Sequence, residues 1–186
     1  MKFNFVENNQ LKEDQLLHVA RLVYSAVPKF YELFGLSITE LCPHIAKQIG
    51  KKNGELEHGY TLLQNNKVMG TYIAYPAREI KTRQFFGLYA MQKSLGIKLP
   101  AFNIALDDPP VDSFYLARFA VVDEAKGKGV GKTVLNHYIG AAELPLLSLH
   151  VHSSNRSAIK FYHHHGFSTQ KSDNQQFYLL TRDSPS

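Results

Sequence analysis

The residues best suited to chemistry lie between positions 119 and 133. An apolar run, Phe119-Ala120-Val121-Val122, leads into Lys126-Gly127-Lys128-Gly129-Val130-Gly131-Lys132-Thr133. Glycines at alternate positions remove side chains where the backbone must come close to a ligand or another chain segment. A helix that starts directly after such a turn leaves its first amides unpaired, and its dipole favours an anion there. The dipole contributes about 0.3–1 kcal/mol per charge, and each hydrogen bond to a charged group about 1.5–3 kcal/mol. Two or three such amides, with Lys126, Lys128 and Lys132 around them, suit a diphosphate. The bland alternative is a turn that only caps a helix. Two nucleotide loops fail on spacing. G-x-x-x-x-G-K-[ST] finds its end in Gly131-Lys132-Thr133, but its first position is Lys126. G-x-G-x-x-G fails at Lys132 when started from Gly127, and at Val134 from Gly129.

A second constellation follows at Asn155-Arg156-Ser157-Ala158-Ile159-Lys160-Phe161-Tyr162-His163-His164-His165-Gly166-Phe167. It reads as a helix capped by Asn155 and ended by Gly166. With both elements present, the chain resembles the GNAT superfamily of N-acetyltransferases. The loop is similar to that family's acetyl-CoA pattern [QR]-x-x-G-x-[GA], with Lys126 in the first position. Asn155, Ala158, Tyr162, Gly166 and Phe167 match its N-x-x-A-x-x-x-Y-x-x-x-G-F element. The likeness is firm over 113–167 and extends over 58–182. Lys126 departs from the family's Arg or Gln. The swap keeps the backbone amide and gives up a bidentate side-chain contact.

The resemblance implies a GNAT fold, an α/β (α+β) arrangement whose fourth and fifth strands splay apart. It implies acetyl-CoA as cosubstrate, with its pantetheine arm in that gap beside Phe119, Ala120 and Val121. The diphosphate would sit on Lys126, Gly127, Lys128, Gly129, Val130, Gly131, Lys132 and Thr133, and Asn155 would reach the cofactor from the next helix. Tyr162 takes the place of the family's general acid. In one member of that family a glutamate five residues before the equivalent Asn is the proposed base. Here that position is His150. On Leu147-Ser148-Leu149-His150-Val151-His152, His150 and His152 share one face and Leu149 and Val151 the other. An imidazole pKa of about 6.5 suits proton removal. A histidine bonded only to a strand neighbour, a water chain, Tyr115 and Glu79 remain alternatives. Phe30, Tyr31, Phe34, Tyr72, Tyr75 and Arg78 fall on the acceptor side, where Phe30, Tyr31, Phe34, Tyr75 and Tyr115 are candidates to bind substrate; aromatic residues there are also ordinary core.

These residues need elements to hold them. Residues 2–6 alternate like a strand, and 11–27 carry apolar residues at helical spacing up to Pro28. A short helical stretch runs to Gly35. Ser37 and Glu40 form a capping-box pattern for a helix toward Ile49-Gly50, with Pro43 inside it. Strands are expected at 58–64 and 67–75 around Asn65-Asn66, a pair that tolerates a tight hairpin turn. Residues 78–98 look mixed helical and irregular, and Asp107-Asp108-Pro109-Pro110 is a turn. A strand over 113–122, a helix over 132–143, a strand over 146–152, a helix over 155–165 and strands over 167–171 and 176–181 complete an α/β order. One domain over 1–186 is expected, with an acceptor-side half (1–112, insert 77–112) and an acetyl-CoA half (113–186).

Composition narrows the function classes. The chain has 186 residues, 44% hydrophobic and 20% charged, which is ordinary globular usage. A net charge of +5 favours an anionic ligand. The lysines are scattered, so no nucleic-acid stripe is expected. The single cysteine, Cys42, excludes an internal disulfide. His150, His152 and His163-His164-His165 suggest a metal, but no nearby carboxylate or Cys completes a ligand set, so none is expected. No secretory leader or membrane span is visible, and a cytoplasmic protein is expected. The leading reading is an acetyl-CoA-dependent N-acetyltransferase that acts on a primary amine, small-molecule or peptide, by direct attack in a ternary complex. The alternatives are a noncatalytic acyl-CoA-binding module on the same fold and a phosphate-loop nucleotide-binding protein. A homodimer, common in that family, is open to it.

Overall fold

The computed structural model describes residues 3–99, 106–171 and 175–184. Lys2, the first residue of the expected opening strand, and part of the 77–112 insert lie outside them. The chain runs β1 (Phe3–Glu7), α1 (Glu13–Ala26), α2 (Pro28–Glu32), α3 (Ile38–Ala46), β2 (Gly59–Gln64), β3 (Lys67–Pro76), α4 (Ile80–Leu95), β4 (Ser113–Val121), α5 (Val130–Gly140), β5 (Leu146–His152), α6 (Arg156–His164), β6 (Ser168–Thr169) and β7 (Phe177–Asp183). All seven strands join one sheet in the order β1-β2-β3-β4-β5-β7-β6. Among the described strands, only β4 and β5 pair in parallel. No helix among the described residues is long and apolar enough to cross a membrane.

Local chemistry explains the boundaries. Pro28 opens α2, where its missing N–H costs nothing. Ser37 and Glu40 close the expected capping box, and Pro43 sits inside α3 without breaking it. Asn65 and Asn66 both take positive φ, so β2 and β3 join through a tight hairpin. Residues 78–98 differ from expectation. They form one 16-residue helix, α4, ended by Gly96 in the left-handed region. Its exposed Phe85, Phe86 and Tyr89 blur the apolar period that would have marked it.

The sheet separates two cores. One lies under α1, α3 and α4 and holds Val19, Val23, Leu41, Ile45, Ile73 and Tyr75. The other lies under α5 and holds Val134, Leu135, Tyr138, Leu147, Leu149 and Leu180. β5 shows the division: Leu147, Leu149 and Val151 enter the α5 core, while His152 reaches Lys29 of α2 on the opposite face.

Candidate active site

β4 sets the geometry of the site. Its pairing with β3 runs from Val121 opposite Gly70 down to Arg118 opposite Ile73, then slips to Leu116 opposite Ala74. Ala117 is therefore an extra residue, a β-bulge, which bends the strand. The parallel pairing of β4 with β5 stops at the same point, with Leu116 opposite Leu149. Beyond it both strands continue unpaired with each other, β4 to Val121 and β5 to His152. The splay the resemblance implies is present, and the bulge lies at its apex.

The gap is lined by main-chain donors. Val122 N–H donates to Met69 O at 3.0 Å, on the β3 side. Amides alternate along a strand, so Ala120 N–H points the same way and Phe119 and Val121 N–H point into the gap. The Phe119 side chain packs against Phe161 and Tyr162 of α6, with ring centroids 5.8 and 6.0 Å away.

The glycine-rich turn stands at the open end. Gly127 and Gly129 take φ of +73° and +80°, and a Cβ on either would meet only open space. Their glycine requirement is thus conformational, and the space above them is free for a ligand. Gly129 is the N-cap of α5, which starts two residues before the expected position. Thr133 N–H makes the first helical bond, to Gly129 O at 3.0 Å. The amides of Val130, Gly131 and Lys132 therefore lie ahead of the ladder without an intrahelical acceptor. Lys126, Lys128 and Lys132 are exposed around them, and Lys126 pairs with Asp123. A glycine cradle, orphan amides and three lysines fit a diphosphate.

Asn155 caps α6. Its Oδ1 accepts from Ala158 N and Ser157 Oγ, both at 3.1 Å. The cap thus uses the side-chain oxygen and leaves the Nδ2 donor for a ligand. Tyr162 is buried between Phe119, Phe161 and Phe167. Burial, reinforced by the nearby Tyr115 phenol, raises its hydroxyl pKa well above the ordinary value, so it holds its proton at neutral pH.

His150 and Tyr115 meet on the other side of the gap. The Tyr115 hydroxyl lies 3.2 Å from His150 Nδ1, and the rings pack edge to face at 5.7 Å. Burial lowers the His150 pKa against the opposing pull of Asp107 and Asp108, so the ring is neutral at pH 7. His152 bonds Lys29 Nζ at 3.2 Å and Ser154 Oγ at 2.7 Å. Among the described residues no three metal-ligating side chains gather.

The acceptor-side aromatics Tyr31, Phe34, Tyr75 and Tyr115 are all largely buried in the core under α1, α3 and α4. Phe30 and Tyr31 line a small cleft with Gly54, Glu55, Gly87 and Met91. Glu79 is held by Arg83 Nε at 2.7 Å, and Cys42 is buried with its thiol pKa raised by that burial. The sequence reading missed Arg118. It sits just after the bulge, buried, and its Nη2 donates to Glu55 Oε1 at 2.7 Å. An arginine inside an otherwise apolar strand is itself the signal, because a buried charge demands a partner.

The comparisons with known proteins agree with this geometry. The acetyltransferase (GNAT) family model matches residues 27–167. No curated protein matches the sequence. Among solved structures, an acetyltransferase superposes with a TM-score of 0.74 at 16% identity, covering 100% of both chains. An N-acetyltransferase from Staphylococcus aureus gives 0.69 at 16% identity, covering 97% of this chain and 100% of that one. An acetyltransferase from Thermus thermophilus gives 0.60 at 12% identity, covering 98% and 97%. At these identities the superpositions carry the fold, and the family match carries the kinship: this chain belongs to the GNAT family of acetyltransferases.

Proposed function

We propose that the chain is an acetyl-CoA-dependent N-acetyltransferase that acts on a primary amine by direct attack in a ternary complex. The observation that carries this reading is the splayed β4/β5 gap opening onto an amide-lined helix start. The thioester supplies an activated acetyl group. The amides of Val130, Gly131 and Lys132, with Lys126 and Lys128, suit the diphosphate. Phe119 and Val121 N–H suit the pantetheine arm, and Val121 N–H is the donor we assign to the oxyanion. Asn155 Nδ2 is a further donor.

The protons are the chain's own task. An acceptor ammonium, with a pKa of about 10.4 for a lysine-like amine, must lose one before it can attack. His150, neutral at pH 7, is the base we assign, and Tyr162, which keeps its proton, is the acid for the leaving thiolate.

A thiol-release screen tests this. The panel holds peptides with free N-termini, lysine peptides, polyamines, aminoglycosides and amino acids. Release with at least one class is expected. Acetyl-CoA binding without release from any of them would identify a noncatalytic binding module. Protection against thermal unfolding by ATP that exceeds protection by acetyl-CoA would identify a nucleotide-binding protein.

A further inference from the structure

Both nitrogens of His150 are closed to a substrate. Nδ1 faces the Tyr115 hydroxyl at 3.2 Å. Nε2 is buried without a hydrogen bond of full geometry, and the Asp107 backbone is the polar group that acts on the ring beside the Asp107 and Asp108 charges. Asp107 Oδ2, in the segment just ahead of β4, is likewise buried with no hydrogen-bond partner among the described residues. Buried polar atoms are costly to leave unpaired, and a catalytic role is one of the reasons a fold keeps them. Tyr115 lies opposite Ser148, one pair before the β4/β5 ladder ends, so its ring stands at the apex of the gap.

We infer that Tyr115 and His150 form a two-member proton relay, in which Tyr115 meets the acceptor amine and Asp107 stands behind the imidazole as its counter-charge. The inference rests on the transferase reading above and refines its base. The Tyr115 hydroxyl donates to Nδ1, which puts the ring's own proton on Nε2, on the Asp107 side. Among the described residues, the charged and titratable groups that act on the ring fit this polarity, and so does the Asp107 backbone. Asp107 and Asp108 face it from the segment ahead of β4, Tyr115 from β4, and the β7 residue opposite is apolar Leu179. Lys29, from α2, is bonded to His152 two residues along. Burial pushes the Tyr115 phenol up to about 12, so Tyr115 is too weak an acid to ionise on its own and can only pass a proton through.

The step balances. The acceptor ammonium gives a proton to Tyr115 Oη as the Tyr115 proton moves to His150 Nδ1. Tyr115 stays neutral, His150 becomes imidazolium, and the amine nitrogen gains its free pair. The nitrogen–carbon bond then forms to give the tetrahedral oxyanion, which collapses as the carbon–sulfur bond breaks. The thiolate takes a proton from Tyr162 Oη, and the second proton of the new amide nitrogen restores Tyr162. The proton on His150 returns through Tyr115 to solvent, the one proton the overall reaction releases.

Two measurements test the relay. The first is the His150 titration by NMR in the full chain without ligand. Tyr115→Phe removes a donor to the neutral ring, so the midpoint rises; Asp107→Asn removes the counter-charge, so it falls. Unchanged midpoints in both variants overturn the relay, whatever the activity. The second is turnover with an amine found by the screen. Tyr115→Phe should lower kcat by at least about 10-fold, and adding His150→Gln should lower it little further, because a relay fails as one unit. Wild-type turnover in Tyr115→Phe, or losses that multiply in the double variant, would overturn it. A wild-type chain that releases no thiol with any amine refutes the transferase reading and the relay's role in it, while the ligand-free titration still decides whether the three residues are coupled.

Discussion

At the scale of single residues, the chemistry depends on where protons rest. Tyr162 is wedged among Phe119, Phe161 and Phe167, and its hydroxyl stays protonated. Tyr162→Phe keeps that packing and removes the proton. It should lower kcat by about 10²-fold or more, with a smaller change in acetyl-CoA affinity; steady-state kinetics beside calorimetry would show it, and a change in affinity alone would make Tyr162 a binding residue. Two half-buried histidines give a pH prediction for stability. Burial lowers the pKa of His137 and of His150. Unfolded, each takes up a proton as pH falls through about 6.5; folded, each does so only at lower pH. In that window the unfolded chain binds more protons, so stability drops as pH falls below about 6.5. Urea midpoints at about pH 7.5 and about pH 5.5 should differ in that direction. The helix that carries Tyr162 was legible in the sequence because Asn155 caps it and Gly166 ends it. The Tyr115–His150 contact was not, since its two strands are adjacent only in space.

At the scale of elements, the bulge at Ala117 and the positive φ of Gly129 shape the gap and the turn. Gly129→Ala meets no atom, so its cost is purely conformational, about 1–2 kcal/mol. Urea denaturation should show that loss, and the twisted turn should weaken acetyl-CoA binding as well. Wild-type stability would show that the turn adapts to a side chain, against the conformational glycine requirement. The β-strands and the helices around the site were readable from alternation, caps and glycines, as Ser37 with Glu40 and Asn65-Asn66 show. α4 was not, because Phe85, Phe86 and Tyr89 face solvent and its helical period is lost. The bulge was also hidden: nothing in Leu116-Ala117-Arg118 distinguishes an extra residue until pairing with β3 is known.

At the scale of the molecule, one buried ion pair ties the acceptor side together. Arg118 of β4 joins Glu55, and Gly87 of α4 lies so close that a Cβ there would stand 2.9 Å from the Glu55 side chain. Burial works against the Arg118 charge, yet Glu55 and the phenols of Tyr31, Tyr75 and Tyr115 hold its pKa above the ordinary guanidinium value. Glu55→Ala leaves a buried charge unpaired and should cost about 3–5 kcal/mol; a loss below about 1 kcal/mol by urea denaturation would mean that water or another group takes over. The pair escaped the sequence reading because its members lie 63 positions apart. The central claim is that main-chain amides of the 126–132 turn hold the diphosphate of coenzyme A. Calorimetric titration with acetyl-CoA and, separately, with S-acetylpantetheine tests it most directly. The account predicts that acetyl-CoA binds one per chain and that the fragment without the diphosphate binds at least about 10-fold more weakly, a difference of about 1.4 kcal/mol. No heat with acetyl-CoA, or equal affinity for the two, would contradict it.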